Sequence, residues 1–167
     1  EKTNSFVYVG HVKPHKGFKS LIDAFHMLPK GKYQLKIIGE RDGFLNGMKA
    51  DDLQSDDVIF TGRLSDEKLL REIASAAVLV QPSLYEGFGL PPLEALYLGT
   101  QPIISDIPVF KEIYGDLPVV FFKTNDVYDL SEKIIHISEK KDIEQADHEQ
   151  RYSYRNFSKT LLKQLEV

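Results

Sequence analysis

A chain of 167 residues with 42% apolar content has room for one buried core, and its lack of cysteine excludes disulfide frameworks, thiolate metal sites and thiol nucleophiles. Its 21 basic and 25 acidic side chains give a net charge of −4 with no clustered basic stretch, which argues against nucleic acid as the main partner. No apolar run is long enough to span a bilayer, and the opening Glu1-Lys2-Thr3-Asn4 has no signal-peptide pattern. The first residue is not Met, so a piece of a longer protein is expected.

In chain order, a β-branched and aromatic run at 6–9 reads as the first strand. A loop at 10–17 follows, then an apolar stripe of Leu21, Ile22, Phe25 and Leu28 with helical spacing that stops before Pro29. Strands are expected at 34–38 and 58–60, and a helix carrying Leu69, Leu70, Ile73 and Ala74 after Ser65-Asp66. A strand at 78–80 ends near Gln81, and a helix begins close to Pro91-Pro92, with Glu94 in its first turn. Strands at 102–104 and 119–122 and a helix over 127–138, with Leu130, Ile134 and Ile137 inward, complete the pattern. Residues 139–151 are strongly charged and read as an exposed helix or linker, and an amphipathic helix is expected at about 153–165.

Most strands are continuous apolar runs, as expected when both faces are covered. Strand and helix in alternation imply an α/β fold, a Rossmann-like doubly wound parallel sheet. Residues 1–151 form that domain, and 152–167 a C-terminal helix. Ligands of such sheets sit at the carboxyl ends of the strands, so the strand-to-helix loops are where chemistry is sought.

Three loops qualify. In the segment 82–99, Gly87-Phe88-Gly89 can bring its backbone close to a ligand, and free amides at a helix start attract anions. Pro91 and Pro92 lack N–H groups, which leaves Phe88, Gly89, Leu90 or Leu93 as donors. The pattern alone also fits a tight turn without a ligand, at even odds. Glu94 suits the helix dipole, but a capping box would need Ser or Thr where Pro91 stands. A carboxylate beside an anion cradle is better explained by sugar hydroxyls as its partners, and glycoside hydrolysis by the pair Glu86 and Glu94 ranks lower. In the loop 10–17, Lys13 and Lys16 are ordinary surface lysines by composition, or cations for a diphosphate leaving group. His11 and His15 lack partners at metal-ligand spacing, and His11 can hydrogen-bond a phosphate. In the loop 61–65, Arg63 is either a surface ion-pair partner or a base contact, and Ser65 is a helix N-cap. The aromatics at 85, 97, 121 and 122 are assigned to core rather than to stacking, and only Phe88 to the loop.

Taken together, FVYVGHVKPHKGF, IIG, VIFTGRLSDEKL and PSLYEGFGLPPLEALYLGTQPIISD resemble the C-terminal domain of glycosyltransferase family four, enzymes of the GT-B fold. The pair Glu86 and Glu94, eight positions apart around Gly87-Phe88-Gly89, is the most specific element, and Tyr152-Ser153-Tyr154 is similar to the turn that precedes the family's last helix. The resemblance implies a donor site in a retaining, metal-independent hexosyltransferase that uses a nucleotide-diphosphate sugar, without cofactor. Lys16 would meet the diphosphate, Glu94 the ribose and Glu86 the transferred sugar. Gly87, Phe88, Gly89 and Leu90 would offer backbone donors, Gly10 and His11 would border the phosphates, and the backbone of Arg63 and Leu64 the base. His11 stands where the family has Arg, which leaves a second phosphate cation to Lys13.

The implied acceptor is a glycan or lipid-linked sugar bound by an N-terminal domain outside this chain, so the isolated domain is expected to transfer nothing. The implied setting is cytoplasmic assembly of cell-surface polysaccharide, mannose being the tentative sugar, with peripheral association at the inner face of the membrane. A non-catalytic nucleotide- or glycan-binding module and a GT-B nucleotide-sugar epimerase are the alternatives.

Overall fold

Strand residues of both parities are apolar, and both sheet faces are accordingly covered. A computed structural model describes residues 4–40 and 56–144, with side chains described as far as 138. Among the described residues, β1 (Ser5–Val9), β2 (Gln34–Ile38), β3 (Val58–Gly62), β4 (Val78–Gln81), β5 (Gln101–Ser105) and β6 (Val120–Phe122) form one sheet. Every pairing is parallel, and the order is β3-β2-β1-β4-β5-β6. The chain winds outward from β1 to β3, returns to place β4 against β1, and winds outward again.

The helices are α1 (Phe18–His26), α2 (Asp66–Ser75), α3 (Leu90–Tyr97), α4 (Pro108–Tyr114) and α5 (Val127–Glu144), with a 3-10 turn over Pro14–Lys16. Strand parity decides which helices each residue meets. Phe6, Tyr8, Leu35, Ile37, Val78 and Val80 pack with Leu21 and Phe25 of α1 and Leu130 and Ile134 of α5. Val7, Ile38 and Leu79 point the other way, toward Ile73 of α2 and Ala95 of α3. Farther along that second face, Ile104 meets Leu96, Phe110 and Tyr114. The expected α/β, doubly wound parallel sheet is the fold observed.

The differences from the sequence reading are local. Helix α4 carries no expectation, because seven residues behind Pro108 are too few to display a period. Its Phe110 and Tyr114, four apart, nevertheless form a fully buried pair. Leu70 is not part of the inward stripe of α2 but is 42% exposed; Leu69 and Ile73 make that stripe. Tyr85 and Tyr97, expected in the core, lie at the surface. Ser65 does take the N-cap position of α2, but its hydroxyl makes no capping bond. No described helix is long and apolar enough to cross a membrane. The helix expected at 153–165, the turn at 152–154 and the domain boundary at 151 lie outside the described residues.

Candidate functional site

The return of the chain from β3 to β4 makes β1 and β4 neighbours whose following helices lie on opposite faces. Their carboxyl ends therefore open into a crevice, the place where doubly wound sheets bind ligands. Two backbone contacts fasten the loops on either side of it. The carbonyl of His15 accepts the amides of Leu84 at 2.8 Å and Tyr85 at 3.4 Å. Gly17, at φ +64°, lies so near that an added Cβ would be 1.8 Å from the carbonyl oxygen of Pro82. Only glycine permits both that dihedral and that approach. On the far side of β1, the Gly10 amide donates to the Ile38 carbonyl at 2.9 Å.

This clamp brings Lys16, at the end of the 3-10 turn, to Glu86 in the loop after β4. The two residues are 70 positions apart in sequence, and Lys16 Nζ lies 2.7 Å from Glu86 Oε1. The same oxygen accepts the Ser83 hydroxyl at 2.7 Å and the Gln81 Nε2 at 3.2 Å. Gln81 and Ser83 are buried, and the Glu86 side chain is only 9% exposed. The Ser83 carbonyl is in turn held by the Ser105 hydroxyl at the end of β5.

Gly87 is open on all sides, and Phe88 and Leu90 are exposed. Gly89 takes the N-cap of α3 at φ +79°, with Phe110 closing the space where a Cβ would go. Its carbonyl accepts the Tyr114 hydroxyl. Helix α3 starts at Leu90, so Pro91 and Pro92 occupy its second and third positions, and Glu94 falls in the second turn rather than the first. Glu94 is therefore one turn too far along to serve as a first-turn dipole partner. Burial raises the Tyr114 phenol above its usual range; the Leu93 amide bond opposes this, and Glu86 and Glu94 add to the rise. Leu93 is the fourth residue of α3, where the amide bonds within the helix, so Phe88, Gly89 and Leu90 remain as candidate anion donors.

The other expected residues are more dispersed. His11 has an exposed side chain, and its carbonyl accepts the Tyr8 hydroxyl at 2.9 Å. Burial first, and the charge of Glu86 second, push the Tyr8 phenol upward as well. Lys13 is exposed. The Arg63 side chain is 84% exposed and reaches Glu40 at 4.0 Å, as a surface ion-pair partner would. The Leu64 side chain packs against the cluster of Val7, Ile73 and Leu79, which leaves the expectation for its backbone as it was. No group of three His, Cys, Asp or Glu side chains is arranged to hold a metal ion among the described residues.

Sequence reasoning missed Gln81, Ser83 and Tyr114. Gln81 did carry a signal, a long polar residue closing the apolar strand Val78–Gln81. Tyr114 carried none, because its helix was not legible.

The site thus sets an ammonium against a nearly buried carboxylate that Ser83 and Gln81 also hold, beside a glycine-rich loop. That is chemistry for an anion next to hydroxyl donors, on a nucleotide-binding type of α/β fold. Residues 1–157 match the family "Glycosyl transferases group 1", and the chain belongs to that family. It is 33% identical over 135 residues to O-antigen chain mannosyltransferase B of Escherichia coli, covering 77% of this chain and 35% of that protein. It is 39% identical over 116 residues to O-antigen chain mannosyltransferase RfbU of Salmonella typhimurium, covering 68% and 33% respectively. The chain spans about a third of the length of these relatives.

Among solved structures, sucrose-phosphate synthase of Thermosynechococcus elongatus superposes with a TM-score of 0.74 at 23% identity, over 96% of this chain and 45% of that one. Anabaena HepE in complex with UDP-glucose gives 0.71 at 18% identity, over 98% and 48%. The catalytic domain of cholesterol-alpha-glucosyltransferase from Helicobacter pylori gives 0.70 at 22%, over 97% and 99%. These likenesses establish the Rossmann-like half of a GT-B glycosyltransferase as the fold.

Proposed function

We propose that this chain is the donor-binding part of a retaining, metal-independent hexosyltransferase that uses a nucleotide-diphosphate sugar, a mannosyl donor foremost. The observation that carries the reading is the meeting of Lys16 and Glu86 at the crevice between β1 and β4. When the bond from the anomeric carbon to the leaving oxygen breaks, negative charge collects on the diphosphate. Lys16 and the amides of Phe88, Gly89 and Leu90 stabilise that charge, and this preorganised electrostatic term is commonly the largest one in such a step. Glu86 accepts a hydroxyl of the transferred sugar and Glu94 the ribose hydroxyls. The acceptor, a glycan or lipid-linked sugar, binds to parts of the enzyme beyond this chain, in line with the greater length of the relatives. The two O-antigen mannosyltransferases support mannose and cell-surface polysaccharide assembly as the reading for this chain, with the cytoplasmic side as its setting in this proposal.

Calorimetric titration of the chain with uridine, guanosine and adenosine diphosphates and their sugars tests this. Lys16→Ala and Glu94→Ala each remove charge-assisted hydrogen bonds, worth about 1.5–3 kcal/mol, and should weaken binding by roughly 10- to 150-fold. Saturable binding that both substitutions leave untouched would refute the assignment of the site.

A further inference from the structure

The hydrogen bonds of Glu86 are distributed unevenly over its two oxygens. Oε1 accepts Lys16, Ser83 and Gln81, whereas Oε2 has no partner among the described residues. Gln81 is similarly one-sided. Its Nε2 serves Ser83 and Glu86, while its Oε1 is buried without a hydrogen-bond partner. Exchanging the two ends of the amide would aim a carbonyl at a carboxylate, so the chemistry fixes the orientation. A buried amide oxygen without a partner destabilises the fold. The arrangement therefore spends stability on a donor directed at Glu86.

Lys16, by contrast, has a competing role in the function proposed above. Its ammonium rests on Glu86, yet a bound diphosphate needs the same ammonium. A carboxylate that depended on Lys16 for its position would be set loose at the moment the sugar arrives.

Resting on that reading of the site, we propose that Gln81 and Ser83 are positioning residues. They hold Glu86 by Oε1 whether or not Lys16 is in place, and so keep Oε2 aimed at the sugar while the lysine changes partner. The pair then governs how well the site distinguishes a nucleotide sugar from the bare nucleoside diphosphate. The sugar can contribute binding only if its acceptor oxygen stays put once the phosphate cation has moved.

Two measurements test this. The first needs no ligand: a crystal structure of the Lys16→Ala chain. Glu86 should keep its rotamer, with Oε1 still within hydrogen-bond distance of the Ser83 hydroxyl and the Gln81 amide. A Glu86 side chain that has swung out of the crevice overturns the proposal. The second is calorimetry on Ser83→Ala and Gln81→Leu with GDP and GDP-mannose, and with UDP and UDP-glucose. For whichever pair the parent chain binds, the ratio of sugar-nucleotide to diphosphate affinity should fall about five- to tenfold. Gln81→Leu should also unfold at or above the parent temperature, since it removes the orphaned oxygen. A parallel loss for both ligands, or an unchanged ratio, overturns the proposal. If the parent chain binds no nucleotide at all, the functional reading above fails, and the crystal structure still decides whether Gln81 and Ser83 hold Glu86.

Discussion

Gly17→Ala separates the two loops that build the crevice, and its cost can be worked out from the structure. At φ +64°, alanine pays about 1–2 kcal/mol for the left-handed backbone alone. Its Cβ would then lie 1.8 Å from the Pro82 carbonyl oxygen, against 3.4 Å for ordinary contact, so the loops must part by 3.4 − 1.8 = 1.6 Å. That movement breaks the bond from the Leu84 amide to the His15 carbonyl, which adds about 1 kcal/mol. The sum is about 2–3 kcal/mol, or roughly 4–12 °C in Tm for a chain of this size. Gly31→Ala is the internal control: its φ of +72° imposes similar backbone strain, but nothing lies within 4 Å of its would-be Cβ. Thermal and urea unfolding of the two variants isolates the contact term. Nucleotide titration adds a second readout, because a displacement of about 1 Å at a site can cost on the order of a hundredfold. Equal destabilisation by the two substitutions, with equal nucleotide binding, would refute the clamp.

Two further predictions follow from residues around the site. Tyr114→Phe removes the donor to the Gly89 carbonyl and should destabilise the chain by about 1–2 kcal/mol in urea unfolding; a change below about 0.3 kcal/mol would show that the hydroxyl does not hold the start of α3. Asp106 is held at about 2, chiefly by the Thr124 hydroxyl and amide and, against some burial, by Lys111. Its folded value is below the unfolded one, so its stabilisation is fully present above about pH 4 and is lost as pH falls toward 2. The gap in unfolding midpoint between the parent and Asp106→Asn should therefore be larger at pH 7 than at pH 3; a gap independent of pH contradicts this.

What the sequence determined by itself is the set of strands and most of the helices. Most strands are runs of apolar residues without polar interruption, as in Val78–Val80, and such runs suit a sheet covered on both faces whatever lies beside them. Glycine at 10, 17, 87 and 89 marks the loops and proline at 91 and 92 the start of a helix, because backbone freedom and backbone restriction both act within a few residues. The resemblance of the motifs to one family also comes from local text, and the fold and family agree with it. Tertiary structure alone decided which loops face each other. Lys16 meets Glu86 because β4 inserts beside β1, and that choice arises from packing of whole helices on the two sheet faces. Ser83 and Gln81 became part of the site for the same reason. Tyr114 reaches Gly89 from a helix too short to carry a period, and the Arg63 side chain pairs with Glu40 across the loops after β3 and β2. Periodicity and turn chemistry report on neighbours along the chain. Neighbours across the sheet are set by a winding order that no short stretch of sequence contains.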